Sequence, residues 1–339
     1  MVVLHDGSRL YWYGSSLIDS KFSLSELSEG NKKTGHEYQS AVPDCDISFS
    51  ADLLGSTTWA HVWRDTRGQV TVALATDDSG YLLSFPGLAD FRISSDGRRI
   101  SVSHPESTSI ETLRHLLLDQ VLPRVLTHTG RLVLHASCVR VQDRVLVFVG
   151  ETGQGKSCLA ASFDAAGYPL LSDDGVVVVP HPDGPRILPT YRSLRLWPDA
   201  VRELYSQTPQ LAPMAHYSSK HRVELADRCE QQRTPLPVGG IFVLRAGCPP
   251  PETPQVMPLT ARDGCIELLR QTFQLDVTDR QRTAALFAMV SDLAHQVPLF
   301  AIDYPRVYAC LPQVHAAILQ TAHDSFQQNT VQAVPGENP

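Results

Sequence analysis

The sequence has no apolar run close to the roughly 20 residues that a membrane-spanning helix needs, and its N-terminus MVVLHDGSRL lacks the apolar core of a signal peptide. Lysine and arginine never form a block, and the formal net charge is −7, which disfavours a nucleic-acid partner held by bulk electrostatics. The seven cysteines are scattered and never spaced C-x-x-C, a pattern that favours reduced thiols over disulfides or a zinc site. These absences predict a cytoplasmic protein with neither a membrane nor a nucleic-acid partner.

Two regions of the 339-residue chain differ in their pattern. Residues 1–105 contain short alternating or apolar runs, such as QVTVALAT and YLLSFP, separated by the turn signals DDSG and SSDG. They predict a β-rich N-terminal domain with a role in substrate recognition or regulation. In residues 107–126 the apolar period becomes helical, so we place the domain boundary near residue 105. Strand and helix patterns then alternate over 106–323, which predicts an α/β domain, and the polar residues 324–339 are predicted to be a disordered tail.

The most specific motif follows the strand pattern RVLVFV and fits G-x-x-x-x-G-K-[ST] at each constrained position: Gly150, Glu151, Thr152, Gly153, Gln154, Gly155, Lys156 and Ser157. Such glycines let the backbone wrap an anion with its N–H groups turned inward, and the following helix adds its positive N-terminal end. Lys156 supplies a charge for the β- and γ-phosphates, and the Ser157 hydroxyl is a ligand for Mg²⁺. Cys158 comes next, where a helix dipole lowers a thiol pKa, although we favour a packing role beneath the loop. The sequence predicts that residues 150–158 form a phosphate loop (P-loop) for ATP, or another nucleoside triphosphate, with Mg²⁺.

A pair of carboxylates ends the next apolar strand pattern, LLSDD. Asp173 and Asp174 are consecutive, so their side chains cannot both follow one face of a strand. At a strand end near bound phosphate, one acid is placed to meet Mg²⁺ and the other to face an acceptor hydroxyl, the two tasks of phosphoryl transfer. Taken alone, Asp-Asp-Gly is equally good turn chemistry. Because the pair follows the predicted phosphate loop by one helix, we favour the functional interpretation.

His135 interrupts the apolar strand pattern LVLHAS, and by that pattern alone it is a core or edge residue. The combined run LHASCVRVQDRVLVFVGETGQGKS, followed by LLSDD, resembles the HPr kinase/phosphorylase family, bacterial Ser kinases with a phosphate loop that are unrelated in fold to eukaryotic protein kinases. The resemblance covers residues 130–180 well and the rest of the C-terminal region loosely. It implies an HPr kinase-like α/β core with a P-loop, and an oligomer.

The same resemblance implies roles for the candidate residues. Asp173 is the acid–base residue that faces the acceptor serine, and Lys156 and His135 join it in the catalytic set. Asp174 and Ser157 hold Mg²⁺. His135 lies near the transferred phosphate or tunes Asp173.

The chain departs from that family in two places. The family's second signature, an acidic residue followed by an Arg-Gly segment, is not recognisable after the paired aspartates. A second metal ligand is therefore unassigned, and the reverse, phosphorylase reaction has no support. The N-terminal region also differs from the family's usual regulatory domain. In both respects the chain is more similar to the HPr-kinase-like proteins of peptide-modification clusters, such as lasso-peptide kinases, which phosphorylate a C-terminal serine of a precursor peptide.

Basic residues after the paired aspartates are candidate contacts to the phosphate or the acceptor, because charge on the transferred phosphoryl group needs cationic donors. They are Arg192, Arg195, Lys220 and Arg222. For each one taken singly, an exposed position on a connecting segment is the favoured interpretation. Trp197, which precedes a proline, is predicted to be a core anchor rather than a stacking platform.

The sequence as a whole predicts an ATP- and Mg²⁺-dependent kinase that transfers the γ-phosphoryl group to a serine hydroxyl of a protein or peptide acceptor. Two alternatives stay open. A small-molecule kinase would have the same phosphate loop, because the loop contacts only the nucleotide. A nucleotide-binding switch or scaffold would bind the nucleotide and transfer little.

Overall fold

The computed structural model describes residues 9–13, 16–21, 23–29, 44–50, 58–205, 209–223, 225 and 234–332. Within these ranges the strands are β1 (Arg9–Tyr13), β2 (Ser16–Ser20), β3 (Ser28–Glu29), β4 (Cys45–Phe49), β5 (His61–Arg64), β6 (Val70–Asp77), β7 (Gly80–Phe85), β8 (Ala89–Ser94), β9 (Arg99–Ser103), β10 (Leu132–Leu134), β11 (Ala136–Val141), β12 (Arg144–Val149), β13 (Leu170–Ser172), β14 (Val176–Val179), β15 (Arg186–Leu188), β16 (Leu194–Leu196), β17 (Leu211–Pro213), β18 (His221–Val223), β19 (Leu236–Leu244), β20 (Gln255–Pro258) and β21 (Leu299–Asp303). The helices are α1 (Ile110–Leu116), α2 (Leu122–His128), α3 (Lys156–Ala165), α4 (Pro198–Leu204), α5 (Ala261–Arg270), α6 (Arg280–Gln296) and α7 (Leu311–Gln332), with a π-helical turn at Leu117–Val121 and a 3-10 turn at Tyr308–Cys310.

The first sheet has the order β3-β1-β2-β4-β9-β8-β7-β6-β5. From β5 to β9 it is an antiparallel meander whose registers are set by tight turns. In one turn Asp77 accepts the Ser79 N–H at 2.9 Å. Gly80 follows with φ +132°, at a place where a Cβ would lie 2.2 Å from the Ile93 carbonyl oxygen, so only glycine fits. Strands therefore occupy the region in which the sequence pattern predicts β structure.

A helical segment follows this sheet and contains one wide turn. The Ser109 hydroxyl accepts the Thr112 N–H at 3.3 Å and caps α1, and the helix continues through the π-helical turn into α2. Pro123 has no N–H to donate, and in a regular helix its ring clashes with the carbonyl four residues earlier. The wide turn lies immediately before Pro123 and relieves that conflict. It also contains Asp119, which is only 1% exposed.

The second sheet contains the chemical motifs. Its order is β10-β14-β15-β19-β12-β11-β13, with β21 beside β19 and β20 beside β21. β12, β19 and β21 are parallel, and their near-continuous apolar runs are typical of strands that are buried on both faces. β13 lies beyond the antiparallel β11, so β13 runs in the same direction as β12. As a result, the C-terminal ends of β12 and β13 meet the N-terminal end of β11 at one edge of the sheet.

A small sheet with the order β16-β18-β17 packs on α3. Leu194 and Leu196 of β16 share a buried apolar cluster with Leu159 of α3 and Phe148 of β12. This packing brings the chain after β16 back toward the start of α3. The chain is therefore a mixed α/β fold with several sheets, as the sequence predicts at that level.

The first and second sheets share one apolar cluster. Its buried members include Tyr11 and Phe91 of the first sheet, Leu117 of the helical segment, Val177 of β14 and Phe273. Polar contacts also cross residue 105, since the Tyr13 hydroxyl donates to the Leu118 carbonyl at 3.2 Å. The boundary near residue 105 stays a prediction, and the contacts across it are extensive.

The C-terminal helix differs from its predicted state. α7 continues to Gln332, past residue 324, where the sequence pattern placed the start of a disordered tail. Residues 333–339 lie outside the described ranges. None of the helices in the described part of the chain combines the length and apolar character needed to cross a membrane.

Candidate active site

Three strand ends converge to form the candidate site. The phosphate-loop motif, residues 150–157, directly follows β12 and runs into α3. His135 and Ser137 lie at the start of β11, and the paired aspartates directly follow β13. Because β12 and β13 run in the same direction with β11 antiparallel between them, these segments lie at the same sheet edge. The order strand, loop, helix around the motif is the context in which such a motif holds phosphate.

The backbone of the motif has the conformation that its glycines permit. Gly150, Gly153 and Gly155 have φ values of +151°, +89° and +92°, which residues with a side chain rarely adopt. Gly155 is the N-terminal cap of α3, so the free N–H groups of the first helical turn point into the loop. Glu151, which is exposed, donates its N–H to the Gln154 side chain at 3.1 Å. Thr152 is exposed as well.

Lys156 lies inside the loop. It is 6% exposed, and its Nζ donates to the carbonyl oxygens of Gly150 at 2.7 Å and Glu151 at 3.3 Å. Burial lowers the pKa of Lys156, while the carboxylates of Asp174 and Asp173 oppose that effect. An anion in the loop would give the ammonium group a stronger partner than the two carbonyl groups.

Asp173 connects the phosphate loop to β11. Its Oδ1 accepts hydrogen bonds from the Ser137 hydroxyl at 2.5 Å and the Ser157 hydroxyl at 3.0 Å. The residue is fully buried, and its Oδ2 has no hydrogen-bond partner among the described residues. Burial and the charge of Asp174 raise the pKa of Asp173 from the usual 3.8 to about 6. The resemblance pairs Ser157 with Asp174 on Mg²⁺, but the structure places Asp173 against Ser157.

Asp174 turns away from Asp173 and toward the mouth of the site. Its φ is +64°, an uncommon value for a residue with a side chain, and its carboxylate is 23% exposed. Arg195 Nη1 donates to Oδ2 at 2.5 Å, and His135 Nε2 lies 3.5 Å from Oδ1. Burial would raise the pKa of Asp174, but Arg195 and His135 outweigh it and hold that pKa well below its usual range. The two aspartates therefore differ in exposure, partners and basicity.

His135 joins the site, although its partner differs from the one implied. Its ring nitrogen contacts Asp174, whereas the resemblance implies that it tunes Asp173 or lies near the transferred phosphate. The imidazole packs against the Phe273 ring with a centroid distance of 5.9 Å, and its side chain is 31% exposed. It is a partly exposed neighbour of the outer carboxylate and not a core histidine.

Three of the four basic candidates have hydrogen-bond or ion-pair partners elsewhere in the chain. Arg192 donates to the Leu170 carbonyl at 2.8 Å and lies 3.3 Å from Asp164, at the opposite end of α3 from the loop. Arg222 pairs with Glu26 of the N-terminal region. Arg195 is 5% exposed and is held between carboxylates, so it is neither exposed nor a free phosphate donor. A contact to phosphate or acceptor stays a prediction for these three residues, whose partners in the structure include carboxylates and a carbonyl group. The exposed position favoured for each one does not hold for Arg195, because charge in a sequence does not reveal a distant partner.

Lys220 differs from the other basic candidates. Its charge is close enough to lower the pKa of Lys156, and its Nζ lies 5.5 Å from the centre of the Trp197 ring. Trp197 is 50% exposed, so the predicted core anchor is instead an aromatic surface near the mouth of the site. The contact between Lys220 and Trp197 gives this side of the site a cationic and aromatic character.

Some site neighbours were not found from the sequence. Arg306 follows β21, and its Nη1 lies 4.0 Å from the position that a Cβ on Gly155 would occupy. Its guanidinium stacks on the Tyr304 ring at 3.9 Å. Ser137 was missed as well, because a serine in an apolar strand has no distinctive pattern. β12, β19 and β21 are parallel, with β19 between the other two, so the C-terminal ends of β12 and β21 point to the same edge and bring Arg306 to the loop.

Cys158 lies beneath the loop and packs on the apolar cluster around α3. Burial raises the pKa of its thiol to about 11, with Asp199 acting in the same direction. The direction of this pKa shift is opposite to the one that a helix dipole gives. The packing interpretation of Cys158 is therefore the one that the structure favours.

Comparisons with known proteins give a distant likeness to solved structures. No protein-family model and no curated protein matches the chain. Among solved structures, it is similar to the "Hpr(Ser) kinase/phosphatase from Coxiella burnetii", with 12% sequence identity and a TM-score of 0.27 over 56% of this chain and 97% of that chain. At these values the likeness is distant and carries no argument about the function or the acceptor of this chain.

Proposed function

We propose that this protein is an ATP- and Mg²⁺-dependent kinase that transfers the γ-phosphoryl group to a serine hydroxyl of a protein or peptide. The observation that carries the proposal is the hydrogen bond from the Ser157 hydroxyl to Asp173 beneath the loop that holds Lys156. A second carboxylate, Asp174, lies beside it at the mouth with His135. A loop for the donor phosphates and two carboxylates of different exposure match what phosphoryl transfer requires.

The residues present fit a magnesium ion. No hydrogen-bond partner within the described ranges reaches the buried Asp173 Oδ2, and the Ser157 hydroxyl is 3.0 Å from the other oxygen of the same carboxylate. Among the described residues, no group of three or more His, Cys, Asp and Glu side chains is arranged to hold a metal alone. Mg²⁺ in nucleotide sites needs few protein ligands, because phosphate oxygens and water complete its shell. When bound, the ion would neutralise charge on the β- and γ-phosphates.

Exposure and basicity suggest different roles for the two aspartates. The raised pKa of Asp173 suits proton abstraction, whereas its complete burial keeps it from an acceptor. Asp174 is a weak base but is exposed at the mouth. We give access more weight, because a loose phosphoryl-transfer transition state needs an oriented hydroxyl more than an early proton abstraction. We therefore assign Asp173 and Ser157 to the metal side and Asp174 to the acceptor, the reverse of the roles that the resemblance implies.

The proposal is tested by transfer of label from γ-labelled ATP to a degenerate pool of serine peptides, followed by mass spectrometry. An alanine-for-serine pool and a set of small hydroxyl compounds run in parallel. Wild-type protein should label only the serine pool. Labelling of the small compounds alone would support a small-molecule kinase, and ATP binding with no labelled acceptor would support a switch.

Variants of the two aspartates test the assigned roles. Asp174→Asn should lower the transfer rate by about 10²-fold or more while leaving the Mg²⁺ dependence unchanged. Asp173→Asn should raise the Mg²⁺ concentration needed for half-maximal activity. Asp183→Asn is the matched control, since Asp183 is 80% exposed in a turn outside the site. Wild-type transfer by Asp174→Asn would contradict the acceptor role.

A further inference from the structure

A buried carboxylate on the helical segment lies behind the candidate site. Asp119 is 1% exposed and lies in the π-helical turn between α1 and α2. Its Oδ1 accepts from Arg195 Nη2 at 2.7 Å and from the Tyr191 hydroxyl, and its Oδ2 pairs with His115 Nδ1 at 2.7 Å. A buried carboxylate with three donors is fully satisfied, and such a network holds its members rigidly in place. Wide turns of this kind often occur at functional sites.

Arg195 connects this carboxylate to the site. One end of its guanidinium, Nη2, contacts Asp119 and the Tyr191 hydroxyl, each at 2.7 Å. The other end, Nη1, contacts Asp174 Oδ2 at 2.5 Å. Because the guanidinium is a rigid plane, fixing one end fixes the direction of the other. The position of the Asp174 carboxylate therefore depends on a residue 55 positions earlier in the chain (174 − 119).

The conformation of Asp174 requires such a contact. A non-glycine residue at φ +64° carries backbone strain and stays there only when its surroundings impose it. The next residue, Gly175, packs so tightly that a Cβ would lie 2.7 Å from the Tyr13 hydroxyl. Arg195 occupies Asp174 Oδ2, which leaves Oδ1 beside His135 for an incoming group.

We propose that Asp119 is a positioning residue for phosphoryl transfer, which acts through Arg195 to fix the orientation of the Asp174 carboxylate. This inference rests on the proposed function for its catalytic meaning. Asp119 neutralises one side of Arg195 and keeps the guanidinium shared between two carboxylates. Without that charge, the Nη2 end of the guanidinium loses the contact that fixes it, and the Asp174 carboxylate held by Nη1 loses its fixed direction.

The first test measures transfer kinetics of Asp119→Asn, which keeps the size of the side chain and removes its charge. The transfer rate, normalised to the fraction of protein that binds ATP, should fall by about tenfold to 10²-fold, as expected for misplaced catalytic groups. The KM for ATP should change by less than about twofold, since the contacts described for Lys156 do not involve Asp119. In an Asp174→Asn background, Asp119→Asn should have almost no further effect.

Asp164→Asn is the matched control. Asp164 is 4% exposed and lies 3.3 Å from Arg192, so it is an equally buried carboxylate with an arginine partner, at the far end of α3. It should lower stability and leave the normalised rate unchanged. Equal losses in Asp119→Asn and Asp164→Asn would show that Asp119 has only a structural role and would overturn the inference.

A second test does not depend on kinase activity. Protein labelled with ¹⁵N-glycine reports the Gly175 amide, which donates to the Asp173 carbonyl at 2.8 Å. Asp119→Asn should shift the Gly175 resonance, and Asp164→Asn should not. If wild-type protein labels no acceptor, the proposed function fails while this shift still reports the coupling. An unmoved Gly175 resonance in Asp119→Asn would overturn the coupling itself.

Discussion

Replacement of Arg195 by methionine tests whether the buried charges hold the site together. Arg195 is 5% exposed and contacts Asp174 at 2.5 Å and Asp119 at 2.7 Å. Methionine fills much of the same space but removes the arginine charge from Asp119, which is 1% exposed and keeps only the His115 and Tyr191 donors. Removing one partner of a buried ion pair costs about 3–5 kcal/mol, because the other charge stays buried. We expect a loss of that size in the free energy of unfolding.

The assay is urea denaturation followed by circular dichroism, with thermal melting as a second readout. The control is Arg92→Met, because Arg92 lies 2.6 Å from Asp77, a distance like those of Arg195, but both side chains are substantially exposed. An exposed pair at that distance should give no resolvable loss. Adding Asp119→Asn to Arg195→Met should recover part of the loss, since the second change removes the orphaned charge. Equal stability of the two methionine variants would refute the reasoning.

Three further predictions concern the phosphate loop and its neighbours. ATP at 100 times its dissociation constant should stabilise the wild type by about 2.7 kcal/mol, and Lys156→Met should abolish this shift; an unchanged shift would contradict phosphate binding by the loop. Because the pKa of Cys158 is raised to about 11, only about 10⁻³ of its thiol is ionised at pH 8. Iodoacetamide should therefore modify the exposed Cys248 far faster than Cys158, as measured by peptide mapping. Comparable rates for the two thiols would be inconsistent with burial of Cys158. The pKa of Asp173 is raised to about 6, and a metal binds only the ionised carboxylate. The affinity for Mg²⁺ in the presence of ATP, measured by calorimetry, should therefore fall by about tenfold for each pH unit below 6. An affinity that stays constant down to pH 5 would argue against Asp173 near the metal.

The sequence predicts best what is encoded locally. The backbone of the loop at residues 150–157 is set by glycines that adopt positive φ, and the flanking strand and helix follow from the apolar pattern alone. The paired aspartates were found for the same reason, because two acids at a strand end are visible without any tertiary contact. The sequence also indicates that the two carboxylates cannot share one face of a strand. In the structure both follow β13, and Asp174 has a φ of +64°.

Partners that are distant in the sequence were not predictable. Arg195 finds Asp119 76 residues earlier, and Arg222 finds Glu26 196 residues earlier. Neither pairing leaves a mark in composition or period. Trp197 was placed in the core because aromatic side chains usually are, but it is half exposed beside Lys220. The predicted tail was helical to Gln332, because the polar composition there hid the continuation of α7.

The apolar cluster shared by the two large sheets limits where the chain can be truncated and which segments can be exchanged between related chains. Leu113, Leu117 and Val121 are fully buried in that cluster together with Phe91 of the first sheet. A chain shortened to begin near residue 106 would present these side chains to water, and we expect it to aggregate rather than to report on catalysis. Exchange of the N-terminal region between related chains would face the same constraint. The unit that can be transferred is therefore the first sheet together with the helical segment from α1 to α2. A graft of the sheet alone would lack the buried apolar side chains of that segment on which the sheet packs.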